Sequence, residues 1–155
     1  MKLWIDADAC PVQIKDLISL RCHKNQIEAV FVANSQLKVA ESPFISFVKI
    51  ADGPDVADAY IAAHAESGDI VVTQDIPLAG QLVPKNIVVI TPRGDLFSEH
   101  NINEALAGRD LMTNLREQST AYGIAPVSGG PPPFDQKQKR AFANHLDAAI
   151  QRLKR

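Results

Sequence analysis

Short apolar runs that stop at polar or acidic residues alternate along this chain with longer stretches whose apolar residues recur every three or four positions. The first run, Leu3-Trp4-Ile5, ends in Asp6-Ala7-Asp8, and Pro11 then opens a helical pattern. Proline fits the first turn of a helix, where its missing N–H is not needed. Val12, Ile14, Leu17, Ile18 and Leu20 form the apolar stripe of that helix, which fades by about Asn25. Residues 29–33 are apolar throughout, as expected of a strand covered on both faces. Residues 35–43 predict an irregular connector, and the more polar 45–50 a strand at a sheet edge. Gly53-Pro54 breaks the chain before a helix from about Asp55 to Ser67. Residues 70–73 are another buried strand, Pro77 to about Val83 a short helix, and residues 87–90 a strand stopped by Thr91-Pro92-Arg93-Gly94. A helix over 101–118 follows, with Asn101 as its cap.

This alternation predicts an α/β fold with a central, mostly parallel sheet flanked by helices. Gly129-Gly130-Pro131-Pro132-Pro133 then excludes regular helix or central strand. Beyond it Phe142, Leu146, Ile150 and Leu153 share one helical stripe. The expected organisation is one domain over 1–155. Residues 123–134 are its Gly/Pro strap, and the helix 135–154 docks on the domain, since its stripe would otherwise be exposed.

Composition changes this picture little. Of the 155 residues 46% are hydrophobic and 22% charged, ordinary for a globular domain. A net charge of −2 removes any whole-chain electrostatic argument for nucleic acid. The distribution says more: residues 1–75 hold 6 Lys/Arg against 11 Asp/Glu, and residues 135–155 hold 6 against 2. An acidic site with a basic tail suits a metal-dependent enzyme acting on a phosphorylated substrate, and a solvated helix gives the same count. Cys10 and Cys22 have no metal-ligand spacing, no apolar run nears the ~20 residues of a membrane span, and the N-terminus goes straight into a strand. A cytoplasmic protein with no membrane association is expected.

The candidate chemistry is carboxylate chemistry. Asp6 and Asp8 end the first strand, Asp55 and Asp58 lie three apart at the start of the second helix, and Asp75 follows Val71-Val72-Thr73-Gln74. All five are expected at the carboxyl edge of the sheet, where open α/β sheets bind ligands. Hard oxygen donors of this kind suit Mg²⁺ or Mn²⁺. Capping is the plain alternative for Asp8, Asp55 and Asp75. Asp6 directly follows Leu-Trp-Ile, and Asp58 is flanked by Ala57 and Ala59, so their structural excuse is weaker. Lys15, Asn34, Thr73 and Arg93 are the candidates for holding phosphate oxygens, Arg93 through its planar fork. Cys10 before a helix could be a thiolate, but core packing is the ordinary role. His23, His64, His100 and His145 form no motif, and Lys137, Lys139 and Arg140 read best as a solvated face.

Asp6-Ala7-Asp8-Ala9-Cys10-Pro11-Val12, Val32-Ala33-Asn34, Gly53-Pro54-Asp55-Val56-Ala57-Asp58, the stretch Asp69 to Ala79, Arg93-Gly94 and the late Gly-Gly-Pro-Pro-Pro-Phe together resemble the YaiI/YqxD family of bacterial proteins. The resemblance spans nearly the whole chain. It implies a three-layer PIN-like, Rossmann-like domain, whose nuclease members hold Mg²⁺ or Mn²⁺ with carboxylates and cleave RNA. On that resemblance Asp6 matches the aspartate ending the first strand, Asp75 the late (S/T)-x-D position, and Asp58 the acidic residue of the preceding helix. These three are the expected catalytic residues. Asp8 and Asp55 join them as metal ligands, and RNA or another nucleic acid is the implied partner. Asp6-Ala7-Asp8 also looks like the Asp-x-Asp start of haloacid-dehalogenase-type phosphatases, with Asp6 as nucleophile and Asp8 as acid. A binding module that keeps the fold without catalysis is the third reading.

Overall fold

The structure is a computed structural model that describes residues 1–39, 41–53, 55–108 and 136–154. The chain runs β1 (Lys2–Asp6), α1 (Val12–Asn25), β2 (Glu28–Ala33), β3 (Ile45–Lys49), α2 (Val56–His64), β4 (Ile70–Val72), α3 (Ile76–Leu82), β5 (Val88–Ile90), β6 (Leu96–Phe97), a helical segment α4 (102–108) and α5 (Gln136–Lys154). Short 3-10 turns cover Ala7–Ala9 and Val83–Lys85. The strands form a six-stranded sheet in the order β3-β2-β1-β4-β5-β6. All neighbours are parallel except β5 and β6.

Strand periodicity sorts the side chains into two layers. Leu3, Ile5, Ala29, Phe31, Ile70 and Val72 face α1 and α5. Trp4, Val30, Val32, Val71 and Val89 face α2, α3 and α4. The result is a three-layer Rossmann-like α/β domain with helices on both faces of the sheet. No helix among the described residues is long and apolar enough to cross a membrane.

Several local readings need correction. Val12 and Leu20 fall outside the buried stripe of α1 that their spacing predicts, being 66% and 64% exposed. Ile14, Ile18 and Cys22, four apart, are the buried set, so α1 covers the sheet with a narrower face. α2 ends at His64 rather than Ser67, its cap residue Ala65 turning into extended backbone. β6 follows from the Thr91–Gly94 turn. Gly94 N–H donates to Thr91 O (2.9 Å) and Thr91 N–H to Asp95 O (2.8 Å), which sends Leu96–Phe97 back along β5. Asn101 does not hold α4 from a cap position. Its side chain reaches backward, accepting from Ser98 N–H (2.8 Å) and donating to Leu96 O (2.8 Å). The strap 123–134 and the second half of the 101–118 helix lie outside the described residues.

α5 packs on the α1 face through Phe142, Leu146, Ala149 and Ile150, all buried in the same core as β1 and β2. The opposite end of the sheet is tied by Asp69. Its carboxylate, 7% exposed, accepts from Lys2 N–H (3.0 Å), Trp4 Nε1–H (3.1 Å) and Glu66 N–H (2.8 Å). A buried carboxylate with three donors is satisfied as an acceptor and locks β1 to β4.

Candidate functional site

The sheet reverses its winding between β1 and β4. From β1 the chain proceeds outward to β2 and β3, and α2 then carries it back to place β4 on the other side of β1. Such a switch point leaves a crevice at the carboxyl ends of the strands. Asp6 ends β1 there, and Thr73 follows β4 beside it.

Thr73 is fully buried. Its hydroxyl donates to Asp6 Oδ2 (3.4 Å) and accepts from Asp75 N–H (3.1 Å). It therefore links the end of β1 to the start of α3. The expectation that Thr73 holds substrate is corrected: it has no surface to offer and instead positions two carboxylates. Asp6 is half-buried, and its carboxyl is raised above the usual range. Burial is the main cause, the charges of Asp8 and Asp75 add to it, and the Thr73 bond opposes it.

Asp75 is the N-cap of α3, Oδ1 accepting from Leu78 N–H at 2.8 Å. The capping role is real and does not exhaust the carboxylate. One oxygen each from Asp55, Asp58 and Asp75 lie within 4.8 Å of one another. Asp55 precedes α2 with φ of 63°, in the left-handed region, and its side chain makes no cap bond. Aspartate tolerates that backbone better than most residues. The plain capping explanation for Asp55 thus fails, and its exposed carboxylate belongs to the cluster. Asp58, in the first turn of α2, is half-buried, and its carboxyl is pushed up to about 7. Burial is the largest cause, followed by a hydrogen bond to Asp75 and the charges of Asp75, Asp6 and Asp55. Three carboxylates so close cannot all ionise freely, which is the electrostatic condition for capturing a cation.

Two shallow cavities meet at this cluster. One, of about 390 Å³, runs between α2 and α3 past Asp55, Asp58, Asp75, Pro77 and Gln81. The other, of about 260 Å³, is bounded by Asp6, Asp8, Asn34, Gly53, Asp55 and Asp58. Gln81 escaped the sequence reading. Its signal was the four-residue spacing from Pro77, which places both on one side of α3.

The other candidates divide. Asp8 is exposed and lines the second cavity, but its oxygens accept from Asn34 N–H (2.9 Å) and Ser35 Oγ–H (3.4 Å). It neither caps a helix nor joins the close triad, and it ties the ends of β1 and β2. Asn34 is brought to the same cavity through that bond. Lys15 is on α1, across the sheet from the triad, in a separate cavity of about 220 Å³ with Leu37 and Lys38. Arg93 is half-buried in the β5–β6 turn and borders neither acidic cavity. Cys10 is buried and its thiol pushed up to about 12, chiefly by burial, so the thiolate reading is dropped. In the phosphatase reading Asp8 is the acid, and its oxygens accept from the 34–35 turn. The carboxylate of Asp95, the late acidic residue, likewise accepts from Thr91 Oγ1–H at 3.5 Å.

A family model described as "Uncharacterized BCR, YaiI/YqxD family" matches residues 4–152. The chain belongs to the YaiI/YqxD family. Among members, the UPF0178 protein of Syntrophobacter fumaroxidans is 49% identical over 150 residues, 97% of this chain and 94% of the relative. That of Psychromonas ingrahamii is 44% identical over 155 residues, covering 100% and 99% of the two chains. That of Myxococcus xanthus is 42% identical over 153 residues, covering 99% and 96%. No solved structure matches the chain. The matched region includes every carboxylate of the site.

Proposed function

We propose that this protein is a divalent-cation-dependent phosphodiester hydrolase of the PIN-like type, acting on RNA, with Asp55, Asp58 and Asp75 as its cation-holding residues. The observation that carries the reading is the convergence of these three carboxylates within 4.8 Å at the switch point. The donor set fits the ion: it is all oxygen and all carboxylate, as Mg²⁺ and Mn²⁺ prefer. When bound, either ion supplies a Lewis acid that offsets charge gathering on a phosphate and acidifies water.

The chain's own residues do the rest. Asp58, which holds a proton near neutrality in the free protein, releases it to become a ligand. Thr73 holds Asp6 through Oδ2, and Asp6 lines the 260 Å³ cavity, where its carboxylate would accept a proton from an attacking water. Asp75 is fixed by the α3 cap, so its position is set before any ligand arrives. Asp8 holds the 34–35 turn, and with it Asn34, beside the cavity.

The test is hydrolysis of single-stranded RNA, single-stranded DNA and p-nitrophenyl phosphate, each with Mn²⁺ and with chelator, alongside Mn²⁺ binding by calorimetry. RNA cleavage that requires Mn²⁺ and disappears in Asp58→Asn and Asp75→Asn is the expected result. Turnover of the monoester alone would replace the reading with a phosphatase. No turnover and no Mn²⁺ binding would end it.

A further inference from the structure

A cavity of about 580 Å³ is at the other end of the sheet from the carboxylates. It opens beside residues 86–88, which lead into β5, and beside the 97–100 segment that leaves β6. It therefore belongs to the amino edge of the parallel strands, whereas the acidic cluster occupies their carboxyl edge. Its volume is within the range of small-molecule pockets.

α5 builds one wall. His145, Ala148, Ala149 and Arg152 all line the cavity. Positions i, i+3, i+4 and i+7 make one helical face. The two alanines in the middle leave the hollow, and the imidazole and guanidinium stand at its two ends. Val83, Ile87, Val88 and Phe97 form the apolar floor. Val88 and Phe97 are only half-buried, and Leu96 beside them is 38% exposed. Apolar surface of this sort, left uncovered next to a well-packed core, favours an occupant.

The rim carries one guanidinium and two imidazoles. Arg152, His145 and His100 form no hydrogen bond or ion pair among the described residues. Glu99 shares the rim and pairs with none of them. Arg152 offers a planar fork of N–H donors suited to carboxylate or phosphate.

We propose that this cavity is a second binding site, independent of the acidic cluster, for a small amphipathic anion: an aromatic or other apolar body carrying a phosphate, sulfonate or carboxylate. The body lies on Val83, Ile87 and Phe97, in the space Ala148 and Ala149 leave. The anionic head meets the Arg152 guanidinium at one end of the hollow. A wholly apolar ligand would leave the rim unused, and inorganic phosphate would leave the floor exposed.

The probe is 8-anilinonaphthalene-1-sulfonate, with N-phenyl-1-naphthylamine as its uncharged relative and inorganic phosphate as the bare anion. The full chain should bind the sulfonate with a fluorescence rise. Amide shifts should be confined to residues 83–88, 96–100 and 145–152. Arg152→Gln should weaken binding about ten-fold, the scale of one lost charge-assisted hydrogen bond. Ala148→Trp, a substitution at an exposed helical position, should fill the hollow and abolish binding. Neither variant should alter the far-ultraviolet circular dichroism or the response to Mn²⁺. The proposal is overturned if the uncharged relative binds as tightly as the sulfonate, if the shifts map elsewhere, or if folded Ala148→Trp binds unchanged. Absence of binding up to millimolar probe would also overturn it.

Discussion

At the scale of single residues, Asp58 and Thr73 decide how the candidate site behaves. In the folded chain Asp58 holds its proton up to about pH 7, against an ordinary value of 3.8. Between those values the native state binds more protons than the unfolded state, so stability falls as pH rises through the window and the penalty is complete above about 7. Asp6, also raised, acts in the same direction. A bound cation reverses this, because it requires the ionised form. The stabilisation by saturating Mn²⁺ should therefore grow from pH 6 to pH 8, reaching roughly 5–10 °C at a hundred-fold excess over Kd. Asp58→Asn should raise the metal-free unfolding midpoint at pH 8 and cancel the Mn²⁺ response. Thermal scans across pH with and without the ion read both effects, and a response independent of pH would contradict this account of Asp58. Thr73 gives the second test. Thr73→Val removes the hydroxyl between Asp6 and Asp75, and Mn²⁺ affinity should drop about 10–100-fold, while Thr73→Ser should keep most of it. Equal losses in both variants would mean that packing, not the hydroxyl, matters.

At this same scale the limits of the sequence are clearest. The sequence puts all five aspartates at the carboxyl edge of the sheet, with Asp6 and Asp58 standing out because a charge set among apolar residues is costly to bury. It could not rank them. Asp55 looked like an ordinary cap, and only its left-handed backbone and missing cap bond reveal that its carboxylate is turned to the cluster. Asp6 looked central, yet it stands behind the close triad, joined to it through Thr73 and through space. Such differences depend on a few ångströms of helix placement, which residue type and spacing do not encode.

At the scale of elements, hydrophobic periodicity was a reliable guide where an element has a partner on a defined face. It was poor at ends and at short pieces. The buried strands and α5 follow their patterns, whereas two-residue β6 has too few positions for any period to register. Val12 and Leu20 fit a helical stripe equally well on paper, and only the width of the sheet they cover leaves them outside. α5 is the element whose docking is most open to measurement. Phe142→Ala and Leu146→Ala remove fully buried side chains and should cost about 3–5 and 2–5 kcal/mol. Gly94 is the fulcrum of that docking. Its φ is 94°, and an added Cβ would fall 2.7 Å from Ala141 Cβ and 2.9 Å from Phe142 N. Gly94→Ala must strain the turn and also push α5 away, and a loss of roughly 1–3 kcal/mol is expected by denaturant unfolding. Losses below half a kcal/mol for all three variants would show that α5 contributes little to the folded domain.

At the scale of the whole molecule, charge is sorted along the fold. The five candidate carboxylates gather at one edge of the sheet, and among the described residues no lysine or arginine borders either acidic cavity. Without a cation this surface repels a polyanion. With one, the attraction is concentrated on a single phosphate, because Lys15 lies across the sheet and α5 carries Lys137, Lys139 and Arg140 on another layer. The proposed hydrolase should therefore bind single-stranded RNA only in the presence of Mn²⁺, and with weak salt dependence. For single strands the logarithm of the binding constant falls with the logarithm of salt by about 0.7 for each phosphate neutralised. A slope of about −1 to −2 follows, corresponding to one to three phosphates. Fluorescence anisotropy of a labelled oligonucleotide, measured with catalysis suppressed by Asp6→Asn, supplies the number. Replacing Lys137, Lys139 and Arg140 together by Gln should leave the slope unchanged. A slope near −5 that collapses in the triple variant would instead show that the basic helix is the main nucleic-acid surface. Binding that persists in chelator would separate RNA recognition from the carboxylate cluster altogether.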